Sequence, residues 1–543
     1  MEWWHKKVIY QIYPRSFCDS NNDGIGDIKG IISKLPYLND LGVGALWLSP
    51  VMPSPDCDNG YDVSDYCNID PQFGTLTDFK NLVKEASKHD IKIIMDMVFN
   101  HTSDKHKWFI EAKNTDSPYH NYYIWKKPKI INGKNMPPNN WESVFLGSAW
   151  KYCEENGLYY LHLFTENQPD LNFHNPDVIA EIKKILKFWL DTGIAGFRLD
   201  VINCIYKTSY ADGKRRSGKT GQEFYLSQKG CHDILKELNR DVFKPYKAFT
   251  VGETMDVSLE DAKLFIDGEL DTVFPFEHMY VDKLPSVPII KRKYKPQRMI
   301  RILKKWQTKI QWTPLYFENH DQTRSVSRFG DENRYYKESV KMLATVLLTQ
   351  KGTPFIYQGE EIGMPNTAFT GMEEINDIVT KNIYHTLRTM HIRKKTAFKL
   401  AMNYGRDNSR TPIPWDDSLN GGFSTAKPWL RVSDTYKTIN IKNNLEKTDS
   451  CFHYYKKLIA IRNSEPALQE GSIEFIHAGK NIFAYYRIAN TKKLFIVCNM
   501  SGKTQKLKTE IQGHPLLFNY KNFIPHQKIL RPYESVITEI EIR

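Results

Sequence analysis

Short, nearly continuous apolar runs alternate with amphipathic stretches along most of this chain. Residues 8–14 read as a first strand, 43–50 as a second and 91–98 as a third. Between them, helical spacing of apolar positions predicts helices over about 31–41 and 76–89. Strands that are apolar on both faces, separated by helices, indicate a parallel sheet covered on both sides. The pattern breaks from about 103 to 170, a stretch rich in Trp, Tyr, Asn, Lys and Pro with little periodicity. It resumes with a helix over about 176–192 and a strand at 196–202, then strands at 249–252, 272–276, 314–317 and 353–357. A helix near 452–461 is the last of the series. Beyond about 470 the texture changes to alternating strands at 482–486, 494–497 and 536–538.

Eight strands, each followed by helical sequence, predict an α/β fold of the (β/α)8 TIM-barrel type. The barrel is expected over residues 1–102 and 171–469. A small inserted domain follows the third strand over 103–170, and a sandwich-like antiparallel β domain covers 470–543.

Composition narrows the class. The 543 residues are 41% hydrophobic and 13% aromatic, which excludes a disordered chain. No run of about 18 apolar residues suggests a membrane span, and the N-terminal residues do not have the layout of a signal peptide. The eight cysteines are scattered without a C-x-x-C pair, as expected for free thiols in a reducing cytoplasm. A net charge of +12 is spread over the surface without a block of like charges, so no nucleic-acid partner is expected. The one local concentration is the loop 207–219, with Lys214, Arg215, Arg216 and Lys219; it would suit a substrate phosphate but reads more simply as a solvated loop.

After the first strand, Asp19, Asn21, Asp23 and Asp27 bear side-chain oxygens at alternate positions, with Gly24 and Gly26 between them. Such a loop can wrap a hard cation, with Ile25 contributing its carbonyl, and calcium is the expected ion. An EF-hand is excluded because its twelfth position is Gly30. A polar Asx turn without a metal is the alternative.

Polar groups capable of chemistry sit just after barrel strands, at the face where barrel enzymes build their sites. Asp96, Asn100 and His101 follow the third strand, Arg198 and Asp200 the fourth, Glu253 the fifth, and Glu318, Asn319, His320 and Asp321 the seventh. Arg198 and Asp200 are two residues apart and share a strand face. The guanidinium should hold the carboxylate ionised, as a nucleophile requires.

With these segments in this order, the chain resembles the alpha-amylase superfamily of glycoside hydrolases. The signature segments are Asp96-Met-Val-Phe-Asn100-His101, Gly196-Phe-Arg198-Leu-Asp200, Gly252-Glu253 and Asn319-His320-Asp321. Gln168-Pro169-Asp170-Leu171-Asn172, the segment Arg406-Asp407-Asn408-Ser409-Arg410-Thr411-Pro412, and residues 352–361 resemble the oligo-1,6-glucosidase subfamily. The resemblance implies a retaining mechanism. Asp200 is then the nucleophile, Glu253 the acid/base, and Asp321 the stabiliser of an oxocarbenium-like transition state. His101, His320 and Gln168 would bind the sugar. Asp58 and Arg410 resemble a pair that clamps the non-reducing end of one glucose, with Tyr61 stacked beneath. A closed pocket of this kind implies exo action.

Val201 follows the nucleophile, as in related enzymes that prefer α-1,6 bonds; α-1,4 maltases carry Thr there. Trehalose-6-phosphate hydrolases also carry Val. The chain departs from the subfamily at Thr254-Met255, resembling dextran glucosidases, and at Pro412-Ile413-Pro414-Trp415. The expected protein is thus a monomeric exo-α-1,6-glucosidase acting on small oligosaccharides, with no organic cofactor. Trehalose-6-phosphate hydrolase and dextran glucosidase are the alternatives within the class, and a catalytically silent sugar-binding relative is the alternative outside it.

Overall fold

A computed structural model describes residues 2–216, 219–284, 287–490 and 492–541. Eight parallel strands curl into a barrel: β1 (Ile9–Ile12), β2 (Ala45–Leu48), β3 (Lys92–Met97), β4 (Gly196–Leu199), β5 (Phe249–Glu253), β6 (Thr272–Phe274), β7 (Pro314–Leu315) and β8 (Thr353–Tyr357). Their spatial order is β6-β5-β4-β3-β2-β1-β8-β7, so each strand lies beside its sequence neighbours. Nearly every strand residue is buried, which explains why these segments read as continuous apolar runs.

The seam between β6 and β7 is bridged by side chains. Thr272 Oγ1 donates to the Trp312 carbonyl at 3.3 Å, and the Tyr316 hydroxyl donates to the Pro275 carbonyl at 2.8 Å. His278 Nε2 bonds the Tyr316 carbonyl at 2.9 Å. β7 is shorter than the expected 314–317 for the same reason. Pro314 has no N–H for a ladder, and Tyr316 turns its polar groups sideways to the seam.

The expected helix over 31–41 is two helices, Ile28–Ser33 and Leu35–Leu41. Pro36 lies in the first turn of the second, where its missing N–H is tolerated but would have broken a continuous helix. Elsewhere, local signals act as they should. Helix Pro176–Leu190 starts on the Asn175 side-chain cap with proline at its first position, and it buries Val178, Ile182, Ile185, Leu186 and Trp189 on one stripe.

The stretch after β3 contains a helix, Lys107–Ala112, a hairpin, Lys129–Ile131 with Lys134–Met136, and a three-stranded antiparallel sheet of Trp125–Lys126, Leu158–Leu161 and Trp150–Cys153. Its apolar cluster around Trp141, Trp150 and Leu161 also takes in Val201 and Cys204 from the end of β4. The insertion is therefore packed against the segment that follows the nucleophile. His101 and Asp170 pair across its base as an isolated bridge.

At the other end, Ser472–Ile476, Ile482–Ala489, Lys492–Asn499, Ser535–Glu541 and His514–Phe518 form a five-stranded antiparallel sheet. Helix Tyr336–Thr349 is sandwiched between this sheet and the barrel. It is buried on nearly all sides and lacks a clean polar stripe. Thr349 Oγ1 meets the Tyr485 hydroxyl at 2.6 Å, and Arg487 Nη1 donates to the Thr349 carbonyl at 2.7 Å. Among the described residues no helix is long and apolar enough to cross a membrane. All eight cysteines are free thiols.

Candidate active site

The centre of the site is a row of polar groups across three neighbouring strands. Asp96 on β3 is in register with Arg198 on β4, and Arg198 is in register with Val251 on β5. Two residues further along, Asp200 and Glu253 leave β4 and β5 side by side. Adjacent strands are about 4.8 Å apart, so this register sets the two acidic residues side by side on neighbouring strands. The close approach of β4 to β5 depends on Gly196, with φ +154°; a Cβ there would stand 1.9 Å from the Phe249 carbonyl oxygen.

Arg198 holds all three carboxylates. Its Nη1 lies 2.6 Å from Asp200 Oδ1 and 2.8 Å from Asp96 Oδ1, and its Nη2 pairs with Glu253 Oε2. One guanidinium therefore faces three acids. This changes the charge balance expected from Arg198 and Asp200 alone. Burial raises the Asp200 carboxyl well above the usual range; Arg198 opposes that, and Glu253 and Asp96 push it further up. Burial likewise pushes Asp96 up to about 6 against the pull of Arg198. The net direction at Asp200 is therefore upward, opposite to the expectation that Arg198 alone would hold this carboxylate ionised.

Val201, next in the chain, has φ 37° and ψ 40°. A β-branched residue in this left-handed region is strained. The bend turns its amide toward the acid/base candidate, and Val201 N–H donates to Glu253 Oε2 at 3.3 Å.

Asp321, the third catalytic candidate, arrives from the loop after β7. Asp321 N–H is held by Asn319 Oδ1 at 2.8 Å. Its Oδ1 accepts from Arg410 Nη2 at 2.8 Å and from Arg406 Nη1 at 3.2 Å, and its Oδ2 lies 3.4 Å from His320 Nε2. Burial works to raise the Asp321 carboxyl, but His320, Arg406 and Arg410 outweigh it and hold the group far below the usual carboxylate range. Burial pushes His320 down to about 3, so its ring is neutral near pH 7 and the arginines carry the effect there.

Tyr61 ties the parts together. Its ring stacks on His320 with centroids 5.2 Å apart, and its hydroxyl lies 2.9 Å from Asp96 Oδ2 and 2.7 Å from His320 Nε2. Gln11 Nε2 donates to His320 Nδ1 at 2.8 Å, so the ring proton sits on Nε2 and points at Tyr61. His101 is buried, with burial pushing it down to about 4. It meets the Tyr61 carbonyl at 3.0 Å and Gln168 Nε2 at 3.1 Å.

Asp58 is joined to the Asp321 group through Arg406. Asp58 Oδ1 pairs with Arg406 Nη2 at 2.9 Å, while Arg410 belongs to Asp321. Arg406 also bonds Asp377, at 2.8 Å. Arg406 and Asp377 were not among the sequence-level candidates. The signal was present for the arginine, since Arg406 and Arg410 are four apart and fall on one helical face. Asp377 comes from the long segment after β8, where periodicity is weak.

The expected metal loop is wrapped around its own amides. Asp19 Oδ1 accepts from the N–H groups of Asn21 and Asn22, and its Oδ2 accepts from Gly24. Asp23 Oδ1 accepts from Ile25 N–H, and Asn21 Oδ1 from Asp23 N–H. Asp27 accepts from Ser20 and caps the next helix at Gly30. Among the described residues, no three His, Cys, Asp or Glu side chains gather into a metal-holding cluster. The loop's donors are nevertheless of the kind calcium takes, and Asp19 Oδ2 and Asp23 Oδ1, which accept one N–H each, keep a second lone pair.

In the basic loop, Lys207 is buried against Asp170 at 2.6 Å and Lys219 pairs with Asp256. Lys214, Arg215 and Arg216 are exposed, and residues 217–218 lie outside the described residues.

A barrel with acidic side chains gathered at the C-terminal ends of its strands, two of them held by one guanidinium, has the architecture of a glycoside hydrolase. Comparison with known proteins agrees. Residues 11–471 match the alpha amylase catalytic domain. The oligo-1,6-glucosidase of Parageobacillus thermoglucosidasius is 48% identical over 92% of this chain and 91% of its own. The trehalose-6-phosphate hydrolase of Bacillus subtilis is 42% identical over 98% of both chains. The crystal structure of Bacillus licheniformis trehalose-6-phosphate hydrolase superposes with a TM-score of 0.92 at 39% identity, covering all of both chains. The chain belongs to the alpha-amylase family and is a glycoside hydrolase.

Proposed function

We infer that this protein is a retaining exo-α-glucosidase that cleaves α-1,6 bonds of isomalto-oligosaccharides from the non-reducing end. The observation that carries the reading is the network that joins Asp200 and Glu253 through Arg198 and Asp96 to Tyr61 and His320, beside Asp321, which Arg406 links to Asp58. Asp200 attacks the anomeric carbon and forms a glucosyl ester. Glu253 gives its proton to the departing oxygen, then takes one from the water that hydrolyses the ester. Asp321, kept ionised by Arg406 and Arg410, faces the positive charge that develops on the ring. Asp58, Tyr61, His101, Gln168, His320 and Arg410 surround a single sugar.

Val201 favours the α-1,6 assignment, because it brings no hydroxyl to the leaving-group side. The ion pairs of Lys207 with Asp170 and of Lys219 with Asp256 take two of the basic loop's cations away from a substrate phosphate. Glucose release from isomaltose, dextran, maltose and trehalose 6-phosphate, assayed side by side, tests this. Isomaltose should give the highest kcat/KM; a higher value on trehalose 6-phosphate would overturn the assignment.

Asp19, Asn21, Asp23, Asp27 and the Ile25 carbonyl form a structural calcium site in this reading. The ion's place is to pin the β1 loop, and no catalytic step passes through it.

A further inference from the structure

The barrel has a second concavity at the end opposite the catalytic residues. Trp4 and His5 precede β1, Asp271 precedes β6, Trp312 precedes β7 and Lys351 precedes β8, so all lie at the N-terminal ends of the strands. With Glu470, at the start of the C-terminal domain, they line a cleft of about 480 Å³. That size falls within the range of small-molecule sites, about 300–1,000 Å³.

Its polar groups are incompletely used. Asp271 Oδ2 accepts from Thr250 N–H at 2.8 Å and from Thr250 Oγ1 at 3.1 Å. Its other oxygen makes no hydrogen bond or ion pair among the described residues, and neither do Lys351 Nζ, the His5 ring nitrogens or the Glu470 carboxylate. The aromatic part is ordered. The His5 and Trp312 rings lie 4.0 Å apart, and Trp312 is fixed by its Nε1 donating to Thr353 Oγ1 at 2.9 Å.

A cleft that offers indole and imidazole surface beside one free ammonium, the Glu470 carboxylate and one open oxygen of Asp271 suits a neutral ligand with many hydroxyls. An anion would meet Asp271 and Glu470, and a cation would meet Lys351. A pyranose has apolar C–H faces for the rings and vicinal hydroxyls that both donate and accept. We propose that this cleft between the barrel floor and the C-terminal domain is a second, non-catalytic binding site for a neutral pyranose, one or two sugar units long. It is separated from Asp200 by the length of the barrel, so its occupant cannot be the sugar being cleaved.

Equilibrium dialysis of the Asp200→Asn chain against labelled isomaltose counts the sites. Two sugars per chain are expected. Lys351→Met, at a half-exposed side chain, should remove the second or weaken it at least tenfold. Trp312→Ala should do the same in a folded chain. In the otherwise unaltered enzyme, Lys351→Met should leave kcat/KM on isomaltose unchanged. One sugar per Asp200→Asn chain would overturn the proposal, as would two that survive both substitutions. Turnover by the Asp200→Asn chain within tenfold of the parent would instead overturn the catalytic reading, and the count at the barrel floor would then be made with glucose.

Discussion

Arg198 is the residue on which the local chemistry turns, because its single charge is divided among Asp96, Asp200 and Glu253. Removing any one acid shifts the balance of the other two, so substitutions here should not act additively. Asp200→Asn keeps the shape and the contact with Arg198 but removes the nucleophile. It should lower kcat by about 10³-fold or more, measured on isomaltose with KM followed separately. Activity within tenfold of the parent would refute the covalent mechanism. Val201→Thr tests the neighbouring position. Adding a hydroxyl beside the leaving group should shift the ratio of maltose to isomaltose kcat/KM toward maltose, by no more than about 1–3 kcal/mol. The main chain at Val201 is already strained, and Thr is β-branched like Val, so the backbone should not move and the change can be read as specificity.

At the scale of elements, what could be read from the sequence depended on how local the cause was. The barrel strands were legible because burial on both faces forces continuous apolar runs, and the residues after β3, β4, β5 and β7 could be placed from strand ends alone. The break at Lys34 was missed because Pro36 falls where a helix tolerates it only at a new start. The inserted domain looked patternless because its strands are short and its core of Trp141 and Trp150 is aromatic without a repeat. Arg406 was missed because which of Arg406 and Arg410 bridges Asp58 to Asp321 is decided by packing, not by spacing. The loop 19–27 shows the same limit: alternate oxygens indicate a curled backbone whether amides or a cation fill it. If calcium binds, it should add about 2.7 kcal/mol to stability at one hundred times its dissociation constant. Thermal unfolding with calcium and with a chelator measures this, and Asp23→Ala should remove the difference. A midpoint that ignores both ions and chelator would leave the loop as an Asx turn only.

For the whole molecule, the buried acids beneath the site link stability to pH. Glu318, at the root of the Asp321 loop, accepts from Ser325 N–H at 2.5 Å and lies 3.7 Å from Arg324. Glu360 and Glu361 of the β8 loop lie close to it. Tyr455 donates to Glu360, and Tyr10 and Tyr37 donate to Glu361, which ties the first helices and helix Cys451–Ser464 to the same cluster. Burial pushes Glu318 up to about 7, against the pull of Arg324. In the unfolded chain the group returns to about 4.3. The native state therefore binds the proton more tightly, and its stabilising effect is complete below the unfolded value. It is lost as pH rises through about 7. A shift of this size corresponds to a loss of roughly 3 kcal/mol. Buried neutral histidines such as His101 and His320 titrate in the opposite sense, so the total curve is a mixture. The difference between the parent and Glu318→Gln isolates the one group. Gln keeps an acceptor for Ser325 but cannot ionise. From pH 5 to pH 8 the parent should therefore lose stability relative to the variant, by up to about 3 kcal/mol in denaturant unfolding. Parallel curves would mean that Glu318 is already ionised in the folded protein, with Arg324 outweighing its burial.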